Sequence, residues 1–135
     1  MAKQFDVVII GGGLAGASCA LSVAKTNPML SIAVVEANQV TGDYHPSFDD
    51  RSIALAQQSV EYLQSLNLFE KNAPYTAAIK KVSVSDRGHF GKAHINCDEF
   101  AKPSLGYVVE VNPFGRALHL RLTQSNITLL CPDSV

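Results

Sequence analysis

Cysteine is scarce and poorly placed for cross-linking: Cys19, Cys97 and Cys131 are the three in 135 residues, an odd number, widely spaced and without a CxxC pair. No histidine lies at metal-ligand spacing from them, so neither a disulfide framework nor a metal centre is expected, and the thiols are read as reduced, in the cytoplasm. Charge of a single sign is lacking too: 11 basic residues are spread thinly against 12 acidic ones, for a net charge of -1. Without a basic stripe to collect a phosphate backbone, nucleic acid is excluded from the expected partners. There is no low-complexity run, and at 47% hydrophobic the chain is too apolar to stay disordered.

Long apolar runs are nearly absent. Val7 to Ala24 is uncharged over 18 residues, but four glycines and interspersed serine and cysteine dilute it, and Asp6 precedes it. Neither a membrane span nor a signal-peptide core is expected from it. Peripheral contact with a membrane remains open, because an apolar ligand can be collected from the surface without a span. A chain of this length suffices for one modest domain, which buries about two-thirds of its unfolded surface.

What is present is an ordered series of elements. Phe5 to Ile10 is rich in β-branched residues and ends at three glycines, which predicts a buried parallel strand. Leu14 to Lys25 follows with Ala15, Ala17, Ala20 and Ala24 at helical spacing, small enough for the helix to lie close on a sheet. Asn27, tolerant of left-handed backbone, and Pro28 end it. Ser31 to Glu36 is a second buried strand, completing a βαβ unit with a right-handed crossover. Ala37 to Asp50 is a polar loop of a length that is usually functional or mobile, and Gly42-Asp43 within it is read as turn chemistry.

Beyond the loop, Ile53, Leu55, Ala56, Val60, Leu63 and Leu66 predict an amphipathic helix over Ile53 to Leu66. Ile79 to Ser85 and Phe90 to Cys97 predict a hairpin turning at Asp86, Arg87 and Gly88. Tyr107 to Val111 is a strand, Asn112-Pro113 a helix start, Phe114 to Thr123 the helix, and Ile127 to Cys131 a last strand. The fold class is α/β: a Rossmann-type parallel sheet with a βαβ start and an inserted antiparallel hairpin. A doubly wound sheet that ends on a strand has no closing helix, so residues 1–135 are expected to be the N-terminal part of a truncated domain.

The pattern Gly11, Gly13, Gly16 needs glycine for a tight turn, for close approach of backbone to a pyrophosphate, and for close helix packing. The helix that starts there offers unpaired N–H groups and the positive end of its dipole to phosphates. Glu36 stands 20 residues beyond Gly16, where its carboxylate can accept from a ribose 2′-hydroxyl and would repel a 2′-phosphate. A buried strand before, a small-residue helix after and an acid on the next strand make dinucleotide binding the expected function. A flavin or a nicotinamide dinucleotide both satisfy the loop. In a nicotinamide-dependent dehydrogenase, however, a short loop to the next helix is expected, and here the long loop and Asp49-Asp50-Arg51 intervene.

The runs VVIIGGGLAGASCALSV, HPSFDDRSIALAQQSVEYL, VSDRGHFG and YVVEVNPFGRAL together resemble the FAD-dependent aromatic-ring hydroxylases of ubiquinone biosynthesis. The likeness spans nearly all of this chain but only the first part of a family member; FDDRSIALA followed by VSDRGH is its most specific element. It implies a flavin monooxygenase that uses NAD(P)H and O2 to hydroxylate a polyprenyl phenol, with the flavin carrying the difficult chemistry. It also implies that Gly11, Gly13, Gly16 and Glu36 hold FAD, that Arg51 faces the cofactor, and that Glu110 and Arg116 lie near it. No catalytic residue is assigned. The family's later Gly-Asp motif and most of the substrate pocket lie beyond this sequence, so the isolated chain is expected to be inactive.

Plainer readings stand beside these. Arg51 can serve as a surface partner of Asp49 and Asp50. Glu110 can be an ordinary strand-end carboxylate, and Cys19 a small hydrophobe. Arg116, placed in the first turn of its helix, gains nothing from the dipole there. His45, His89, His94 and His119 are scattered and are read as surface or hydrogen-bonded core histidines. The rival functions are a nucleotide-binding domain of an NAD-dependent dehydrogenase and a non-catalytic interaction fragment whose glycine turn is structural.

Overall fold

Val7–Ile10 forms β1 in the computed structural model, which describes residues 3–39 and 45–135. The Gly42-Asp43 turn lies outside the described residues. In chain order there follow α1 (Leu14–Thr26), β2 (Ile32–Val35), β3 (Ser52–Ala56), α2 (Gln57–Ser65), β4 (Thr76–Ile79), β5 (Lys81–Ser85) and β6 (Lys92–Asn96). A 3-10 turn at Cys97–Phe100, β7 (Gly106–Glu110), α3 (Val111–Thr123) and β8 (Thr128–Leu130) complete the chain. These elements group into two units, one of residues 1–51 with 110–135 and one of residues 52–109.

The first unit is a parallel sheet in the order β1-β2-β8. Val7 pairs with Ile32 and Ile10 with Val35, and Ala33 pairs with Thr128 on the other side of β2. Every residue of β2 is buried, as a parallel strand covered on both faces requires. Asp6 fixes the start of this register: its carboxylate accepts the Ser31 N–H at 2.8 Å and the Ser31 hydroxyl at 2.6 Å. On α1, Ala17 and Ala20 have no exposed surface, so the small-residue face does pack close. Cys19, read as a small hydrophobe, is exposed instead. Asn27 does end α1, but not in the left-handed conformation: its φ is -138°, its N–H bonds the Val23 carbonyl, and its side chain accepts the Met29 N–H.

The second unit holds an antiparallel pair, β4 with β7, in a sheet of order β3-β7-β4, and a separate hairpin of β5 with β6. Here the predicted helix from Ile53 is corrected. Ser52–Ala56 is a strand, and the helix starts only at Gln57. Ile53 and Leu55 are apolar at a spacing of two, which suits a strand as well as one helical face, and the Leu55 carbonyl lies against Gly106, where a side chain would collide. The Gln57 side chain anchors the helix start, accepting the Ser104 hydroxyl at 2.6 Å and donating to Glu61. The single strand expected over Ile79 to Ser85 is two, parted at Lys80. The hairpin turn is as expected, with Gly88 at φ +87°.

Candidate functional site: the glycine loop and Glu36

The loop between β1 and α1 carries its glycines for separable reasons. Gly11 has φ +97°, a conformation L side chains rarely adopt, and its N–H bonds the Val35 carbonyl at 2.8 Å. Gly16 faces the Gly11 carbonyl oxygen so closely that a Cβ would collide with backbone. Gly13 has neither constraint: its φ is -68°, and a Cβ there would meet Ser47 at 3.4 Å, an ordinary contact. Among the described residues nothing crowds position 13, so its glycine leaves room for a ligand that must touch the backbone.

Gly13 is also the N-cap of α1, with no side-chain cap bond and no acidic residue in the first turn. Among the described residues no side chain caps the first turn, so the positive helix end is left available for an anion, the arrangement that receives phosphate.

Glu36 follows the end of β2 and is only 5% exposed. Its Oε2 accepts the Gly12 N–H at 2.6 Å, and its Oε1 accepts the Asn38 N–H at 2.8 Å and the Asn38 amide at 3.3 Å. Burial, the largest single influence, pushes its carboxyl up. The Asn38 and Gly12 N–H groups and the His45 ring together more than offset it, so the group sits below the ordinary carboxylate range. A buried acid that stays ionised has the charge and lone pairs to receive ribose hydroxyls and to repel a 2′-phosphate. The same charge, after burial, raises the nearby Cys131 thiol, which donates to the Asn38 carbonyl.

The other expected site residues lie elsewhere in the same unit. The Arg51 side chain is 77% exposed, and its Nε donates to Asp49 Oδ2 at 2.6 Å, the plainer of the two sequence readings. Arg51 and Glu110 are brought together through backbone, where the Arg51 carbonyl accepts the Val111 N–H at 2.9 Å. Glu110 ends β7 as the N-cap of α3. Arg116 stands in the second turn of α3, because the helix begins at Val111 and takes Asn112 and Pro113 into its first turn, where a proline lacks no bond. The dipole argument for Arg116 therefore loses its footing.

Sequence reasoning missed His45. It is 2% exposed, with Nε2 3.6 Å from Glu36 Oε1. Its Nδ1 accepts the Ser47 N–H at 3.1 Å, and its ring packs on Phe48 with centroids 4.5 Å apart. Phe48 in turn occupies the space that Gly115 leaves by having no side chain. The signal was the compact HPSF run, where a histidine sits three residues before a buried aromatic. Among the described residues no cluster could hold a metal ion. No helix among the described residues is long and apolar enough to cross a membrane.

A βαβ start, a glycine loop on an uncapped helix and an ionised acid after the second strand define a dinucleotide-binding α/β domain. Residues 6–74 match the family described as FAD binding domain, and the chain belongs to that family. FAD is accordingly its cofactor, which removes the nicotinamide dehydrogenase alternative. The residues fit it, since an uncapped helix end that could accept phosphate, a glycine that leaves room for close approach and a buried carboxylate that could accept ribose hydroxyls are present. The chain is 32% identical over its whole length to the ubiquinone hydroxylase UbiM of Neisseria meningitidis. It is 26% identical over 93% of its length to the mitochondrial ubiquinone biosynthesis monooxygenase COQ6 of Dictyostelium discoideum. It spans 30% and 28% of those two proteins. Its fold matches p-nitrophenol 4-monooxygenase from Pseudomonas putida with a TM-score of 0.70 at 17% identity, over 96% of this chain and 32% of that one.

Proposed function

We propose that residues 1–135 form the first portion of the FAD site of a flavin-dependent monooxygenase that hydroxylates a polyprenyl phenol in ubiquinone biosynthesis, with NAD(P)H as reductant and O2 as oxidant. The motif runs resemble those of hydroxylases acting on 2-octaprenyl-6-methoxyphenol, which is the phenol we propose. The observation that carries the cofactor part is Gly13, a glycine without a conformational or packing need at the uncapped end of α1. The substrate part is supported by relatives named as ubiquinone hydroxylase and ubiquinone biosynthesis monooxygenase.

In this reading Gly11 and Gly16 shape the turn, Gly13 admits the pyrophosphate, and the α1 N–H groups hold it. Glu36 receives the adenosine ribose. Arg51, Glu110 and Arg116 serve the cofactor from the β7–α3 side, with Arg51 leaving Asp49 to do so. FAD supplies the redox chemistry when bound, and the chain's own residues bind and orient it. A membrane surface is where an apolar phenol would be met, by peripheral contact.

The test has two stages. Titrating the purified chain with FAD should quench flavin fluorescence at saturable concentrations, and no saturable binding overturns the cofactor assignment. The complete enzyme, given a polyprenyl phenol, NAD(P)H and O2, should form a ring-hydroxylated product detectable by mass. Turnover of reductant without that product overturns the substrate assignment.

A further inference from the structure

We propose that His45 is a ribose-positioning residue that works with Glu36 to select a hydroxyl group on the adenosine side of FAD. This rests on the cofactor reading above and adds a residue to it. The tautomer of His45 follows from its neighbours. Because the Ser47 backbone N–H donates to Nδ1 at 3.1 Å, Nδ1 must present a lone pair, and in the neutral ring the proton sits on Nε2. That Nε2–H is buried and makes no hydrogen bond among the described residues. A buried donor left unmade is costly and marks a place for an absent partner.

The partner's chemistry is set by what stands opposite. Nε2 is 3.6 Å from Glu36 Oε1, too long for a direct bond and short enough for one atom to bond both, since ordinary bonds of this kind are about 2.8 Å. One side of that gap donates and the other accepts. A hydroxyl satisfies both at once, giving its proton to the carboxylate and receiving the imidazole N–H. A phosphate oxygen has no proton to give the carboxylate and carries the wrong charge. Of the Oε1 partners, the Asn38 side-chain amide at 3.3 Å is the longest, and it is the one a ribose would displace. The ring is held ready by packing on Phe48, whose N–H bonds the His45 carbonyl at 2.9 Å.

The test is a cycle on the full chain, with ADP, 2′-deoxy-ADP and 3′-deoxy-ADP titrated against the wild type, His45→Phe and His45→Gln. Loss of one neutral hydrogen bond corresponds to between about threefold and tenfold in affinity. The wild type should lose at least that factor for one of the two deoxy nucleotides. His45→Phe should lose it for ADP and show a deoxy penalty smaller by the same factor, since the bond from the hydroxyl to Glu36 remains. His45→Gln, which keeps an N–H donor, should recover part of it. FMN, which lacks the adenosine, should bind all three proteins alike. Equal deoxy penalties in the wild type and His45→Phe overturn the proposal. If His45→Phe does not fold, the His45 ring of the wild type, observed by nitrogen-15 NMR, decides: its Nε2–H should shift and exchange more slowly on adding ADP. Movement of the Gly13 amide without movement of that ring overturns the proposal. Failure of the wild type to bind ADP or FAD at all instead overturns the cofactor reading, so the two failures are distinct.

Discussion

Glu36 Oε2 and the Gly12 backbone N–H are 2.6 Å apart, a bond that spans 24 positions of sequence and ties the end of β2 to the glycine loop. A Cβ on Gly12 would stand 3.2 Å from both that oxygen and the Glu36 Cβ. The acid proposed to receive a ribose therefore also holds the loop proposed to receive the phosphates, so one carboxylate sets the geometry of both.

Glu36→Gln should reveal this double role. With an N–H donor aimed at each oxygen, the new amide must turn its NH2 toward either Gly12 or Asn38, leaving a donor facing a donor. The expected loss is about 1.5–3 kcal/mol of folding stability, read by urea unfolding at pH 7. Since the carboxyl is held below its ordinary range, its contribution is complete above that range and disappears only as pH falls through the depressed folded value. Wild type and variant should thus converge in stability only in strong acid. Convergence already at pH 6 would refute the assignment.

Gly16→Ala and Gly13→Ala should separate packing from ligand approach. At 16 the new methyl meets the Gly11 carbonyl, and overpacking of that kind costs about 1–3 kcal/mol. At 13 the methyl makes an ordinary contact with Ser47. There the N-cap loss and the gain from a stiffer unfolded chain nearly cancel, leaving a change within about 1 kcal/mol. FAD affinity should nevertheless fall at both positions. A Gly13→Ala protein that keeps its affinity for FAD would show that the glycine is there for the turn alone.

The parts of the fold legible in the sequence were those where one physical requirement acted alone. The bounds of β1, α1 and β2 were read to within two residues because β-branched runs, small-residue packing and the glycine turn all act locally, but β1, expected to be buried, leaves Val8 52% and Ile10 71% exposed. Ile53 to Ala56 was misread because two periodicities fit the same four residues. What decided between them was Gly106, some 50 positions away, which lets the Leu55 backbone approach. The site divided in the same way. Glu36 follows from its spacing, but its capture of Gly12 and the burial of His45 depend on tertiary placement of the HPSF run, for which local sequence carries only a faint sign.

Arg51 offers a test that stability cannot confuse. Its ion pair with Asp49 is solvent-exposed, and such pairs contribute about 0–1 kcal/mol. Arg51→Ala should leave the thermal midpoint nearly unchanged. If the guanidinium moves to the cofactor, the same variant should weaken FAD binding, while Asp49→Asn, which releases the arginine, should strengthen it or leave it unaltered. Weakened binding in Asp49→Asn with none in Arg51→Ala would place the arginine on the surface and outside the site.

His119 of α3 should govern the mildly acidic limb of the stability curve. Burial is the main cause that holds its ring below the ordinary histidine value. The electrostatic influence of the His45 ring acts in the same direction, and the charge of Glu36 opposes both. Its Nε2 is buried and makes no hydrogen bond among the described residues. Below about pH 6.5 the unfolded chain takes up a proton at this position that the folded chain resists, so the unfolded state binds more protons and stability falls as pH falls. Above that value the contribution is constant. His119→Gln has no proton to take up and should flatten the limb between pH 6.5 and the carboxylate range, leaving the steeper loss from Glu36 at lower pH intact. Urea midpoints measured from pH 7.5 down to pH 5 on both proteins would show it, and parallel curves across that interval would mean that His119 titrates alike in the folded and unfolded chain.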